Sequence, residues 1–133
     1  MKLLISTESN QKFSIGLADE SQLIDFEFID KPYMQSELAL QTIDKLLKKH
    51  KITKRKLKEI IVIAGPGDFS AVRIGISIAN ALAYAWNISV KAVELEKDYK
   101  AEEKKLKDVL KMSEKVKAGK IAKPIYISEP NIT

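Results

Sequence analysis

The sequence contains no cysteine and only one histidine, His50, among its 133 residues. Those absences exclude a disulfide framework, a thiolate metal site, a cysteine nucleophile and a metal site built from several histidines. No apolar run approaches the roughly 20 residues that a membrane-spanning helix needs, and the first residues are too briefly apolar for a secretory signal. We therefore expect a cytoplasmic protein with no membrane contact, no metal and no cofactor.

Charge is spread unevenly along the chain. The composition, 45% hydrophobic and 31% charged, is globular, the length fits one domain, and the formal net charge is +5. Residues 1–44 hold 3 basic and 8 acidic residues, whereas residues 45–58, the basic segment, hold 8 basic residues and no acidic one. Outside this segment the chain is mildly acidic.

The basic segment has two interpretations. Cations at the end of a helix are commonly solvated and complement the helix dipole. Alternatively, they contact a phosphate backbone or an acidic partner. No aromatic residue lies in the segment, which argues against stacking on single-stranded bases. The residues that would form such a patch are Lys51, Lys54, Arg55, Lys56 and Lys58.

Hydrophobic periodicity predicts a βββαβαβαβ order, and hence an α/β fold with a mixed sheet and helices on its faces. The predicted strands are 2–6, 12–19, 22–29, 59–64, 88–95 and 123–127, and the predicted helices are 35–49, 71–86 and 97–118. Strand 12–19 alternates and should be half-buried, whereas 59–64 is continuously apolar and should be covered on both faces. Helix 97–118 should be buried on one side only. Ser36 and Ser70 are expected as N-caps and Gly119 as a helix terminator.

The loop between strand 59–64 and helix 71–86 reads Gly65-Pro66-Gly67-Asp68-Phe69-Ser70. A strand, a glycine-containing loop and a helix can hold an anion at the helix N-terminus. The loop matches neither the P-loop nor the dinucleotide-binding pattern, and Asp68 would repel a phosphate. Both an anion site and a structural turn remain open.

Helix 71–86 is more apolar than a surface helix needs to be. On a helical wheel its polar residues fall within about 60° of each other, which leaves an apolar arc of roughly 220°. Either helix 35–49 covers this arc, or another chain does. Gly75, Ala79 and Ala83 form a small-residue seam at which a backbone could approach closely.

Residues 59–93 resemble the TsaB (YeaZ) family of tRNA threonylcarbamoyladenosine biosynthesis proteins. The family pattern GPGSFTGxRIG is matched at Gly65, Pro66, Gly67, Phe69, Arg73, Ile74 and Gly75, whereas Asp68, Ser70 and Ala71 differ. Residues 4–9 resemble the family's LDTST strand end, and residues 34–38 resemble its HSExL helix start. The resemblance covers residues 1 to about 95.

The resemblance implies the actin-like/ribonuclease H-like (ASKHA) fold in residues 1–95, whose strand and helix order is βββαβαβ. Residues 96–133 would then be a C-terminal helix and short strand in place of the family's second domain, so the chain would be a minimal version. Ser6 stands where the family has an acid that places metal and phosphate in nucleotide-binding relatives. That departure weakens the case for catalysis or nucleotide binding.

The resemblance further implies a non-catalytic subunit that pairs with TsaD. TsaD transfers the threonylcarbamoyl group to the adenosine beside the anticodon of ANN-decoding tRNAs. TsaE would join as an ATPase, and tRNA would be reached through the complex. Without TsaD, the same face could form a homodimer. The residues expected at this face are Leu38, Gly75, Ile78, Ala79 and Leu82.

Two other functions stay open: a basic RNA-binding module, and a weak nucleotide hydrolase or peptidase of the actin-like superfamily. For an enzyme, the candidate residues are Asp25, His50 and Asp68, each of which is also plausible as an ordinary surface residue.

Overall fold

The computed structural model describes residues 1–123. Within that range the strands are β1 (Lys2–Ser6), β2 (Phe13–Asp19), β3 (Gln22–Ile29), β4 (Glu59–Gly65) and β5 (Ser89–Glu94). The helices are α1 (Gln35–Lys49), α2 (Phe69–Trp86) and α3 (Glu102–Ser113), and Lys54–Lys56 form one turn of 3-10 helix. None of these helices is both long and apolar enough to cross a membrane.

The five strands form one mixed sheet in the order β3-β2-β1-β4-β5. β1 pairs antiparallel with β2, and β2 pairs antiparallel with β3. β4 lies parallel to β1 on one side and to β5 on the other. The predicted α/β architecture, with three antiparallel strands followed by αβ units, is confirmed.

Helices cover both faces of the sheet. Alternate residues of β4 point to opposite sides. Ile60 and Val62 join the hydrophobic core beneath α1 and α2, whereas Ile61 and Ile63 join a second core beneath α3. The expectation that residues 59–64 are covered on both faces is therefore correct.

Strand β2 is buried on both sides, and the expectation of a half-buried strand was wrong. Phe13, Ile15 and Leu17 face the first core, as the alternation predicts. Ser14 and Gly16 face α3 and are also buried, because the Ser14 hydroxyl bonds Glu102 and Gly16 packs under Leu106. The helix that covers them lies about 90 residues away in sequence, so local periodicity could not reveal it.

Both predicted N-caps were wrong. Helix α1 begins at Gln35 with Met34 at the N-cap position, and α2 begins at Phe69 with Asp68 there. Ser70 lies inside the first turn of α2, because the Val72 N–H already bonds the Asp68 carbonyl at 2.9 Å. Neither N-cap side chain bonds its own helix.

Helix α3 is shorter than the predicted 97–118, and Gly119 does not terminate it. After α3 the chain turns back toward the sheet, where Gly119 makes a two-way antiparallel bridge with Val90 of β5. The Asn80 side chain bonds both backbone groups of Ala122, at 3.0 and 2.7 Å. Apart from Lys123, the strand predicted at 123–127 lies outside the described residues.

Candidate functional site

The glycine loop, residues 65–70, lies where β4 ends. The carboxyl edge of parallel strands is where ligands usually bind in α/β sheets. Gly65 has φ of 135°, a backbone conformation that only glycine adopts readily. A Cβ on Gly67 would collide with the Glu8 carbonyl. The two glycines therefore let the loop press against the segment that follows β1.

Asp68 joins the glycine loop to the β1–β2 connection. Its backbone N–H donates to the Glu8 carbonyl at 2.8 Å, and its carboxylate accepts the Asn10 N–H at 2.7 Å. The carboxylate thus holds two loops together at the start of α2. A negative charge at a helix N-terminus already complements the dipole there, which favours the structural turn over an anion site.

The small residues of α2 serve the contact with β1. The Thr7 hydroxyl donates to the Ala71 carbonyl at 2.9 Å, and a Cβ on Gly75 would collide with Thr7 Oγ1. Thr7, Gly75 and Ala79 are all buried. The small-residue seam therefore brings α2 close to this chain's own sheet.

A cavity of about 340 Å³ opens beside the glycine loop, between it and the start of α3. At its base the Lys105 ammonium lies 2.9 Å from a carboxylate oxygen of Glu8 and 2.9 Å from one of Glu102. The Ser6 hydroxyl donates to Glu8, and the Ser14 hydroxyl donates to Glu102, each at 2.7 Å. Lys105 is only 6% exposed. Lys105 thus supplies one positive charge against two carboxylates, and the Lys12 ammonium, 3.7 Å from a carboxylate oxygen of Glu102, supplies a second.

We call Glu8, Glu102 and Lys105 the buried ion cluster. The sequence did not predict it, because helix 97–118 was expected to be buried on one side only and no buried charge was assigned to that side. One signal was available. On a helical wheel Glu102 falls within the apolar stripe formed by Leu106, Val109 and Leu110, and a charge inside such a stripe needs a buried partner. Within residues 1–123 no group of three or more histidine or acidic residues could hold a metal ion.

Tyr99 lines the outer wall of the same cavity. Its hydroxyl donates to Asp108 at 2.9 Å. Burial and the neighbouring carboxylate of Asp108 raise the pKa of Tyr99 to about 12, because both disfavour the phenolate. The tyrosine is therefore neutral at physiological pH and fastens the segment before α3 to the helix.

The remaining candidate catalytic residues lie elsewhere. Asp25 on β3 meets His50 and Lys49 at the end of α1, with its Oδ2 atom 2.8 and 2.9 Å from their nitrogens. The hydrogen bond from His50 is the main reason that the pKa of Asp25 falls to about 2. Asp25 and His50 thus form a pair, but Asp68 belongs to the glycine loop and does not join them.

Phe69 and Arg73, two motif residues, both project from the first turns of α2. The Arg73 guanidinium lies 5.3 Å from the centre of the Phe69 ring, and both side chains are exposed. They differ in this from Gly65 and Gly75, which are buried.

The five residues expected at a partner face are divided by the structure. Gly75 and Ala79 face the sheet, and Ala79 is fully buried, so these two cannot contact a partner in this conformation. Leu38, Ile78 and Leu82 are half-buried and pack at the margin of the first core. The surface apolar positions that flank them on α2 are Ala81 and Ala85, both exposed.

The comparisons with known proteins agree with one another. Residues 35–95 match the family model described as TsaD, tRNA N6-adenosine threonylcarbamoyltransferase. The chain is 30% identical over 93 residues to the tRNA threonylcarbamoyladenosine biosynthesis protein TsaB of Bacillus subtilis. The aligned stretch covers 70% of this chain and 41% of that protein. The structure of YeaZ from Pseudomonas aeruginosa superposes with a TM-score of 0.65 at 26% identity, over 70% of this chain and 43% of that one.

By sequence and by fold, this chain belongs with the TsaB (YeaZ) family. A second structure, titled as an uncharacterized protein with similarity to peptidase YEAZ from Pseudomonas aeruginosa, gives the same TM-score of 0.65 and the same 26% identity. The fold is accordingly the actin-like one expected from the resemblance. The chain spans about two fifths of the length of these TsaB/YeaZ relatives.

The region matched by the TsaD model runs from α1 to the end of β5. It includes the basic segment, the glycine loop and all of α2. Helix α3, which supplies Lys105 and Glu102 to the buried ion cluster, follows that region. This match therefore covers β4, β5 and the first two helices, whereas β1, β2, β3 and α3 lie outside it.

Proposed function

We propose that this chain is a non-catalytic subunit that pairs with a TsaD-type transferase in threonylcarbamoyl modification of tRNA. The observation that carries the proposal is the similarity to TsaB, at 30% identity over 93 residues. Because the chain spans 41% of that relative, the activity and partners of the whole relative are transferred here only as a proposal.

The outer side of α2 supports a protein interface. Ile74 and Ile78 are half-buried, and Ala81 and Ala85 are exposed, so these four residues form an apolar strip along the helix. We call this strip the outer flank of α2. On the opposite flank Asn80 bonds Ala122, so that side is already covered by this chain. The outer flank is therefore the surface that we assign to the partner.

Co-purification with a TsaD-type protein tests the pairing. The double variant Ala81→Arg with Ala85→Arg places two charges on the outer flank at exposed positions, so the subunit should keep its thermal stability and lose the partner. Ala118→Arg is the matched control, because Ala118 is exposed near the β5 edge. Normal pairing by the double variant would move the interface elsewhere.

A cellular assay tests the biological role. Cells that lack their own TsaB-type subunit should regain threonylcarbamoyladenosine in tRNA when they produce this chain together with its cognate TsaD-type and TsaE-type proteins. The Ala118→Arg variant should restore the nucleoside and the double variant should not. A chain that pairs with TsaD yet restores no modified nucleoside would argue against the proposed role while leaving the pairing intact.

The absence of catalysis by the chain itself is also a proposal. It is supported by the fixed roles of the candidate groups: Asp68 is bonded to Asn10, Asp25 is bonded to His50, and the Lys105 ammonium is paired with the carboxylates of Glu8 and Glu102. Steady turnover of Mg-ATP by the purified chain, lost on Asp68→Asn, would contradict it.

Self-association is a second use of the same surface. Without its partner, the chain would bury the outer flank of α2 against a second copy. Light scattering should then report a dimer for the chain alone and a monomer for the double variant. A monomeric wild-type chain at high concentration would remove this part of the proposal.

A further inference from the structure

The basic segment continues past the end of α1 as an exposed turn, residues 51–58, which we call the basic turn. Its five cations are all exposed, and within residues 1–123 none of them forms an ion pair. The two lysines just before it are already used: Lys48 pairs with Asp44, and Lys49 pairs with Asp25, each at 2.9 Å. Uncompensated positive charge is therefore concentrated in the basic turn.

The backbone of the basic turn is fixed to the body of the protein. The Ile52 N–H donates to the Leu47 carbonyl at 2.9 Å, and the Lys58 N–H donates to the Met1 carbonyl at 2.9 Å. Leu57 is 2% exposed and belongs to the first core. The single 3-10 turn at Lys54–Lys56 lies between these anchors. Charged side chains are thus presented from a preformed backbone, which lowers the ordering cost of binding.

The helix dipole does not account for these charges. Its effect falls off within the last turn of a helix, and α1 ends at Lys49. Lys54, Arg55 and Lys56 lie a full turn or more beyond that end. Three adjacent cations without counter-charges also repel one another, so the fold alone gives no reason to collect them here.

We propose that the basic turn contacts the phosphate backbone of RNA, and that in the complex of the proposed function, on which this inference rests, the RNA is tRNA. α1 and α2 both end at the edge of the sheet from which β1 and β4 start. The basic turn and the C-terminal end of α2 therefore lie at the same edge of the sheet. No aromatic residue lies in the turn, so contacts should be to phosphates and independent of sequence.

The observations favour RNA over a membrane surface. Helices and turns that bind anionic bilayers carry exposed apolar side chains beside their cations. In the basic turn the apolar residues are Ile52, which is half-buried, and Leu57, which is buried. The basic turn therefore presents exposed cations that can bind a polyanion, but no exposed apolar side chain that could insert into a lipid bilayer.

The test measures tRNA affinity of the full chain, alone and in the purified TsaD complex, as a function of salt. Replacement of Lys54, Arg55 and Lys56 by Gln should reduce the slope of log affinity against log salt by about 2 to 3, since each lost phosphate contact contributes about 0.7–0.9. Between 50 and 200 mM salt, wild-type affinity should consequently fall roughly 20- to 40-fold further than that of the variant.

The matched control replaces Lys111, Lys115 and Lys117 by Gln. These exposed lysines belong to α3 and the residues just after it, on the other side of the sheet, and their replacement removes the same charge. The control should keep the wild-type salt slope. An equal slope change in both variants, or none in either, overturns the inference, because it indicates diffuse attraction or no contact.

Alternative partners give different results. If the basic-turn variant loses TsaD pairing in size-exclusion chromatography without RNA, the turn is a protein interface and the inference fails. Binding to phosphatidylserine-rich vesicles but not to tRNA also overturns it. If the chain never pairs with TsaD, the proposed function fails, while tRNA binding by the chain alone still decides the inference.

Discussion

The buried ion cluster gives the sharpest stability prediction. Lys105→Met removes the ammonium that lies 2.9 Å from both Glu8 and Glu102, whose side chains are 12% and 10% exposed. Breaking a buried ion pair by removing one partner typically costs about 3–5 kcal/mol, because the remaining charge stays desolvated. The Ser6 and Ser14 hydroxyls still bond the two carboxylates, so we expect a loss near the lower end, about 3 kcal/mol.

Urea unfolding followed by circular dichroism measures this loss. Lys104→Met is the matched control, since Lys104 is 64% exposed in its pair with Asp108 and should cost no more than about 1 kcal/mol. Replacing all three charges, with Glu8→Gln, Glu102→Gln and Lys105→Met, should recover most of the loss, because no net charge is left buried. A Lys105→Met loss no larger than that of the control, or a neutral variant less stable than Lys105→Met, would refute the reasoning.

Two further predictions concern other contacts. Asp25 has a pKa of about 2 against an ordinary 3.8, so its ionised form should contribute about 1–2 kcal/mol of stability above pH ~4, and this contribution should be lost between pH ~4 and pH ~2. In urea titrations, Asp25→Asn should therefore destabilise the protein near neutral pH and have no such effect near pH ~2. Equal destabilisation at the two pH values would contradict the assignment. Gly75→Ala should lower the free energy of unfolding by about 1–3 kcal/mol, measured with urea, because the new Cβ collides with Thr7 Oγ1. The double variant with Thr7→Ala should lose less than the sum of the two single variants. Additive losses would show that the collision is relieved elsewhere.

The sequence predicted the order of strands and helices along the chain up to α3, where short-range patterns decide. A continuous apolar run such as 59–64 predicts a strand that is buried on both faces, and the structure confirms this prediction. The start of α2 was misassigned because the Asp68 carboxylate bonds Asn10, 58 residues away, instead of capping its own helix. Ser70 looked like the cap only because such long-range bonds leave no local pattern.

The site was harder to predict for the same physical reason. Small residues at i, i+4 and i+8 indicate close approach of a backbone, but they do not say which one. Gly75 meets Thr7, just after β1, and Ala79 is fully buried, so the partner face that we propose uses the exposed Ala81 and Ala85 instead. The exposure of the basic turn, in contrast, could be foreseen because five cations in eight residues cannot be buried together.

The bridge between Gly119 and Val90 affects more than the path of the chain. Within residues 1–123, β5 is the edge strand on its side of the sheet, and the unpaired backbone groups of an edge strand can pair with other molecules and lead to aggregation. Gly119 occupies part of that margin, and the Asn80 amide holds Ala122 as a neighbouring strand would. A fragment that stops at the end of α3 would lose this cover, so any truncation meant to stay monodisperse should keep residues 114–123.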